Sequence, residues 1–147
     1  MMNKTTEVDY LIIGCGMVGL STAYQLLNRK ISKKVICIDK EKQLGMHSSG
    51  RNSGVLHAGL YYQPNSLKAK LCVNGAKRLR RYVEERELPI NPCGKVIVPQ
   101  SINLDSQLEE LERRGKANGA KIEMWDKAKL KQFFPLAKSS SGRALWS

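Results

Sequence analysis

YLIIGCGMVGLSTAYQLLNRKISKKVICID, residues 10–39, decides how this chain reads. An apolar run, Tyr10 to Ile13, meets Gly14-x-Gly16-x-x-Gly19. A helix-forming segment follows, and a second apolar run, Val35 to Ile38, ends on Asp39. Each glycine has a mechanical reason. Gly14 permits a tight turn out of the first strand, Gly16 lets the backbone approach a pyrophosphate with no Cβ in the way, and Gly19 lets the helix lie close on the strand. A pyrophosphate would rest on unpaired N–H groups at the helix start, where the dipole favours negative charge. Asp39 stands twenty residues after Gly19, where a carboxylate accepts from ribose hydroxyls. A lone GxGxxG is weak, because glycine-rich turns are common. Strand, helix, second strand and acidic terminus in one register favour a dinucleotide-binding βαβ unit over a βαβ unit that binds nothing.

The connecting helix is expected from about Met17 to Asn28. Val18, Thr22 and Leu26 form one stripe and Leu20, Tyr24 and Leu27 another, so burial on more than one side is expected. Val35 to Ile38 is continuously apolar, as a parallel strand covered on both faces should be. A nicotinamide-type fold would carry on into another helix. Residues 45–62 instead read GMHSSGRNSGVLHAGLYY, with no apolar period. Glycine, serine and asparagine in that density make a loop built for hydrogen bonding and close backbone approach. A flexible surface linker is the alternative, but it fits poorly with the ending Leu56-His57-Ala58-Gly59-Leu60-Tyr61-Tyr62.

Pro64 and Asn65 mark the start of a long helix, about Ser66 to Glu85. Leu67, Leu71, Leu79 and Val83 lie at multiples of four, so this stripe should pack and the basic face look outward. Leu88 to Cys93 is extended and broken by Pro89 and Pro92, and Lys95 to Val98 reads as a strand stopped by Pro99. Asp105 is the expected N-cap of a helix from Ser106 to Asn118, with Leu108 and Leu111 inward and Gly119 as the stop. Lys121 to Trp125 reads as a strand, and Asp126 caps a short helix ending at Phe134-Pro135. Ala144-Leu145-Trp146 is a last strand, expected to lack a partner. Two nucleotide-domain strands and an orphan terminal strand leave edges unpaired. The chain is therefore expected to be the front part of a larger protein.

With 147 residues the chain is long enough for one domain with a core, whereas two half-sized units would each be marginal. No apolar run approaches the roughly 20 residues of a membrane span. The start, MMNKTTEVD, has neither a signal core nor the character of a transit peptide, so the expected compartment is the cytoplasm, with peripheral membrane association as the alternative. Cys15, Cys37, Cys72 and Cys93 show no metal-ligand or CxxC spacing, so reduced structural thiols and no metal are expected. The net charge of +12 comes from 25 Lys and Arg against 13 Asp and Glu. Much of the excess lies between Lys68 and Arg86, without interleaved aromatics to stack bases. That reads as a solvated face, helpful to an anionic cofactor or substrate, in preference to a nucleic-acid site.

Three strings carry a family resemblance: GCGMVG with its Asp39-Lys40-Glu41, HSSGRNSGVLHAGLYYQPNSLKAKLC at residues 47–72, and NPCGKVIVP at residues 91–99. With them the chain resembles the flavin-dependent oxidoreductases of the D-amino-acid-oxidase type, and most closely the L-2-hydroxyglutarate oxidases and dehydrogenases. The resemblance implies FAD as cofactor. It implies an α/β fold: a Rossmann-like FAD-binding βαβ unit, residues 1–85, followed by the start of a mixed α+β substrate domain, residues 86–147, truncated. It puts Gly14, Gly16 and Gly19 at the FAD pyrophosphate and Asp39 at the adenosine ribose, with Met17, Val18 and Lys40 as further cofactor-binding residues. Glu is commoner than Asp at that ribose position, so Asp39 shortens the reach. Ser48, Ser49, Asn52 and Ser53 would line the flavin and phosphate side of the loop, and His57 would stand near the isoalloxazine ring.

Oxidising a 2-hydroxy acid with a flavin requires hydride transfer from the carbinol carbon and removal of the hydroxyl proton. Imidazoles suit that proton step near neutral pH. His57 is the candidate base, with a flavin-contacting or structural histidine as the alternative; His47 reads as a loop residue. A dicarboxylate needs cationic partners, and bidentate Arg suits it better than Lys. Arg51 is the candidate, with Lys68 and Lys70 beyond it, and each also reads as an ordinary solvated charge. Tyr61 and Tyr62 either shape the flavin pocket or pack into the core, and Tyr61 stands with Arg51 as a candidate substrate residue. The implied partners are a small-molecule 2-hydroxy acid, L-2-hydroxyglutarate going to 2-oxoglutarate, and an electron acceptor. Two other readings stay open: a flavin amine or amino-acid oxidase of the same fold, and a non-catalytic remnant. The LHAGLYY string favours the hydroxy-acid enzyme over the amine oxidase, and the chain length favours the remnant for this polypeptide by itself.

Overall fold

The structure, a computed structural model, describes residues 5–147. The first four residues of the polar start, MMNK, lie outside the described residues. The chain forms two compact units that part after Gly54.

The first unit is a βαβ crossover. β1 (Tyr10–Ile13) leads through the glycine turn into α1 (Met17–Asn28), which returns to β2 (Val35–Ile38). The strands are parallel, with Tyr10 opposite Val35 and Ile13 opposite Ile38. Asp9 ties the two strand entries together: its carboxylate accepts from the Ser32 hydroxyl at 2.7 Å and from the Lys34 N–H at 3.3 Å. The Ser32 hydrogen bond, aided by Lys34, lowers the Asp9 pKa. α1 ends in a left-handed residue, Lys30 at φ 56°, and the Ile31 N–H reaches back to the Leu26 carbonyl. That is the hydrogen-bond pattern of a helix stop that usually employs glycine.

Burial of α1 on more than one side is not what the structure shows. No residue of α1 is buried, and Val18 is 79% exposed. The reason is the size of the platform. In this unit α1 packs on two four-residue strands, β1 and β2, which cover only one flank of the helix. Ile13 at the end of β1 is left 82% exposed for the same cause.

The second unit, from Val55, contains α2 (Leu67–Glu84), β3 (Val96–Ile97), a 3₁₀ turn, α3 (Asp105–Ala117), β4 (Glu123–Trp125), α4 (Lys127–Phe133) and β5 (Ala144–Trp146). The terminal strand is not an orphan. β5 is the middle of a three-stranded sheet, antiparallel to β3 on one side and to β4 on the other. Lys95 and Ser147 exchange two further backbone hydrogen bonds, of 2.8 and 2.9 Å, at the end of the β3–β5 ladder. Its partners precede it in sequence, so none had to follow. Ala144 joins Trp125 and Leu130 in the core, with Val96, Val98, Ala137 and Trp146 packed around them.

Two further expectations are corrected. Asp105 does not cap α3; Leu104 holds the N-cap position and Asp105 is the first helical residue. The 3₁₀ turn at Ile102–Leu104 runs straight into the helix, and the Asp105 carboxylate instead receives the Ser141 hydroxyl and the Arg143 guanidinium. These two hydrogen bonds, Ser141 first, lower its pKa. In α2 the Leu67 and Leu71 stripe does not pack: the two are 71% and 64% exposed, while Ala69 is buried. The helix seats its small face, Ala69 with half-buried Cys72, Val73 and Ala76. A Cβ on Gly59 would lie 2.8 Å from Val73 Cγ2, so the residue 57–62 turn approaches too closely for leucines. Two positions along a helix is about 200° of rotation, which sends Leu67 and Leu71 to the far side from Ala69. Ser66 caps α2 as a proper N-cap, its hydroxyl accepting the Ala69 N–H at 3.2 Å.

Candidate functional site

In the first unit the site is built on the glycine turn. Gly14 has φ +105° and donates its N–H to the Ile38 carbonyl at 2.7 Å, which fastens the turn to the end of β2. A Cβ on Gly19 would fall 1.9 Å from the Gly14 carbonyl oxygen and 3.2 Å from Ile12 Cγ2. Only glycine lets α1 lie that close to β1. Gly16 is the N-cap of α1, in an extended conformation and without a capping side chain of its own. The cap comes from elsewhere: Ser49 Oγ accepts the Met17 N–H at 2.8 Å, and a Cβ on Gly16 would sit 2.9 Å from that oxygen. The N–H groups of Val18 and Gly19 have no acceptor among the described residues.

Asp39 closes the turn from below. One carboxylate oxygen accepts the Cys15 N–H at 2.6 Å and the other the Glu41 N–H at 2.9 Å. These two backbone donors, Cys15 first, lower its pKa, with His47 and Lys40 adding charge attraction. Cys15 is buried between the turn glycines, and burial pushes its thiol pKa up, with the Asp39 charge and Cys37 adding to the rise. Neither Cys15 nor Cys37 is in a disulfide.

The loop after Asp39 is tied internally. His47 Nε2 meets Glu41 at 2.9 Å, and Gly45 donates to the Cys15 carbonyl at 3.2 Å. Asn52 spends its amide on the loop backbone: Nδ2 donates to the Ser48 and Ser49 carbonyls at 3.1 and 2.8 Å, and Oδ1 accepts from the Gly54 N–H at 2.8 Å. Asn52 thereby holds the turn that presents Ser49 to α1. Lys40, Ser48, Arg51 and Ser53 are exposed on this loop, and the Arg51 guanidinium pairs with no carboxylate among the described residues.

In the second unit the residue 57–62 segment is seated by α3. Leu60 is 2% exposed, and it packs at Gly115, where a Cβ would lie 1.8 Å from Ile122 Cδ1 and 3.2 Å from Leu60 Cβ. Asn118 Nδ2 donates to the Gly59 and Tyr62 carbonyls at 3.0 and 2.9 Å, and Arg114 donates to the Tyr61 carbonyl at 3.3 Å. Arg114 and Arg113 also grip Glu110, whose pKa is lowered to about 2, mainly by its hydrogen bonds to Arg113 and Arg114. His57 is exposed; the carbonyl of this residue accepts from Cys72 Sγ at 3.5 Å, and its ring has no hydrogen-bond partner among the described residues. Tyr62 is half-buried, with Lys68 Nζ 5.7 Å from its ring centroid, while Lys70 is exposed.

The arrangement ties Gly14, Met17, Asp39, Ser49 and Asn52 by hydrogen bonds into one turn and loop in the first unit, with Gly16 and Gly19 in close approach to it. In the second, His57 and Tyr61 share one turn whose carbonyls are held by Arg114 and Asn118. Asn118, Gly115 and Arg114, which seat this segment, and Lys95, whose Nζ donates to Tyr61 Oη at 2.6 Å, were not singled out in the sequence. Asn118-Gly119 reads as a plain helix stop, and Lys95 as the edge of a strand, so neither carried a local signal of function.

The N–H groups at the start of α1 and the bare Gly16 fit a pyrophosphate, because a dinucleotide needs donors and backbone clearance there. The chain matches the family described as FAD dependent oxidoreductase over residues 9–147. It is 45% identical over 135 residues to the mitochondrial L-2-hydroxyglutarate dehydrogenase of Nematostella vectensis, covering 91% of this chain and 30% of that protein. The corresponding enzyme of Caenorhabditis elegans is 44% identical over 142 residues, covering 96% of this chain and 32% of that one. The chain thus spans about a third of the length of these curated relatives. Among solved structures, the dithionite-reduced L-alpha-glycerophosphate oxidase of Mycoplasma pneumoniae with FAD bound superposes with a TM-score of 0.81 at 30% identity, covering 97% of this chain and 38% of that one. With a family match that leaves out only its first eight residues, the chain belongs to the FAD dependent oxidoreductases.

Proposed function

We propose that this chain, within a polypeptide of its relatives' length, binds FAD and oxidises a 2-hydroxy acid, L-2-hydroxyglutarate to 2-oxoglutarate, with release of the electrons to an external acceptor. The observation that carries the cofactor is the start of α1: Gly16 without a Cβ, Ser49 Oγ on the Met17 N–H, and Val18 and Gly19 N–H groups left without acceptors. The identity to L-2-hydroxyglutarate dehydrogenases, across nearly the whole chain, supports the substrate.

When bound, FAD supplies a ring that accepts a hydride. The roles left to this chain's residues are binding and proton handling. Gly16, Val18 and Gly19 offer backbone N–H groups to the pyrophosphate. Gly14 and Met17 shape the turn that presents them, their own N–H groups being held by Ile38 and Ser49, and Ser48, Ser49 and Ser53 lie on the adjoining loop with Asn52 holding its shape. Asp39 and Lys40 serve the adenosine ribose. His57 takes the substrate hydroxyl proton; an exposed ring with no internal partner is free to do so. Arg51 and Tyr61 are the candidate substrate-binding residues, Arg51 as a cationic partner for a carboxylate. Residues 1–85 form the cofactor part and residues 86–147 the beginning of the substrate domain, although α2 folds with the second compact unit.

No helix among the described residues is long and apolar enough to cross a membrane. A cytoplasmic location, with peripheral membrane association as its alternative, belongs to the proposal and is checked by cell fractionation; the two relatives above carry "mitochondrial" in their names.

The test is the protein purified from its whole coding sequence. Flavin absorbance and dye reduction on addition of L-2-hydroxyglutarate are expected. A preparation without flavin, and unable to acquire it from added FAD, overturns the cofactor. Flavin that is reduced by an amine or amino acid and not by the hydroxy acid overturns the substrate.

A further inference from the structure

We propose that Lys95 Nζ and Tyr61 Oη form a donor pair that binds one carboxylate of the substrate. Lys95 Nζ donates to Tyr61 Oη at 2.6 Å and lies 4.6 Å from the ring centroid. The phenol oxygen accepts that hydrogen bond, so its own O–H must point to a different acceptor. None is present among the described residues. The ammonium has two N–H donors left over, and no carboxylate among the described residues lies within ion-pair distance of it. The pair therefore presents an O–H and cationic N–H groups side by side toward solvent, with no protein acceptor among the described residues. Two acceptor oxygens on one negatively charged group complete that arrangement, which describes a carboxylate.

The pair is also preorganised. Lys95 is half-buried and its backbone is locked to Ser147 by two hydrogen bonds. The preceding Gly94 has φ +71°, and a Cβ on it would lie 2.6 Å from Trp146 Nε1, so the approach to Lys95 follows the Trp146 ring closely. On the other side, the Tyr61 carbonyl takes Arg114 and the flanking carbonyls take Asn118. Neither partner must be ordered when an anion arrives, which saves the entropy that most surface lysines would lose. Other exposed lysines of the chain, such as Lys70, lack such a frame.

This inference rests on the hydroxy-acid reading above and extends it, since a dicarboxylate has a second carboxylate to anchor. The experiment uses the full-length flavoprotein and its Lys95→Met and Tyr61→Phe variants. Parental turnover of L-2-hydroxyglutarate is measured first; without it the hydroxy-acid reading fails, whatever the variants do. Given that activity, two quantities are compared: KM for L-2-hydroxyglutarate, and the Kd of glutarate, an unreactive dicarboxylate, by calorimetry. Lys95→Met is expected to raise both by about tenfold or more, in line with loss of a charge-assisted hydrogen bond. Tyr61→Phe should raise them less, and Lys95→Arg should restore part of the loss. Flavin content should stay at the parental level. If Lys95→Met lowers the melting temperature while KM and the glutarate Kd are unchanged, the pair is structural and the inference is overturned. A fall in flavin content to match the loss of activity also overturns it.

Discussion

The Asp39 carboxylate accepts the Cys15 N–H at 2.6 Å, inside the glycine turn, and so holds the loop it was expected to complement only through a ligand. Its second oxygen is taken by Glu41. Asp39→Ala is expected to weaken FAD binding in the full-length protein by about tenfold, through loss of loop order as well as of any ribose contact. The sign of the pH effect follows from its lowered pKa. The carboxylate contributes above its ordinary value of 3.8 and is lost as pH falls through the lowered value. Flavin fluorescence should therefore show retention from pH 7 to about 4.5 and release only below the ordinary carboxylate range.

The glycines differ in what surrounds them. A Cβ at Gly19 meets backbone at 1.9 Å, whereas one at Gly16 meets the tip of a serine side chain at 2.9 Å. Gly19→Ala should destabilise the fold by about 3 kcal/mol, the upper end for overpacking. Gly16→Ala should cost less, about 1 kcal/mol, because Ser49 can rotate away at the expense of its cap on Met17. Gly16→Val is expected to abolish FAD retention while the fold persists. Thermal melts and flavin content separate the three.

His57→Ala should lower turnover on L-2-hydroxyglutarate by about a hundredfold or more, the usual loss for a general base. Flavin content should hold. If the two fall together, His57 is a cofactor or structural residue.

Asn118 donates to two carbonyls of the residue 57–62 turn. Asn118→Ala leaves both without that donor, at a cost of about 1–3 kcal/mol. Hydrogen exchange should report faster opening of residues 57–62, and turnover should fall with it.

The 147-residue chain by itself leaves Ile13, Val18, Leu11 and Leu67 more than half exposed. Such apolar surface drives association. Light scattering should show concentration-dependent assembly, and L-2-hydroxyglutarate should produce no dye reduction. A monodisperse and active preparation of this chain would contradict the proposal.

The βαβ unit was legible because its determinants are local. Gly14, Gly16, Gly19 and Asp39 lie in one stretch, and alternation of apolar strand and helix marks their frame. The limits of α1 and β2 follow directly from residues 17–28 and 35–38, as does the Asp126 cap of α4, whose carboxylate accepts the Lys129 N–H at 2.8 Å. Asp105 was misread because a carboxylate before a helical pattern looks like a cap whichever partner it finds. Arg143, thirty-eight residues away, competes for it, and no spacing rule reports that.

The sequence by itself determined that a dinucleotide-type turn leads this chain and that a glycine- and serine-rich loop follows the second strand, since turn, propensity and period are written in neighbouring residues. Only the tertiary structure decided that Ser49 caps α1, that Ser147 and Lys95 extend a sheet with β5 at its centre, and that Tyr61 meets Lys95. The Ser49–Met17, Ser147–Lys95 and Tyr61–Lys95 contacts join residues thirty or more positions apart. Their geometry comes from how strands pair and how small faces let elements approach, which a linear pattern does not encode.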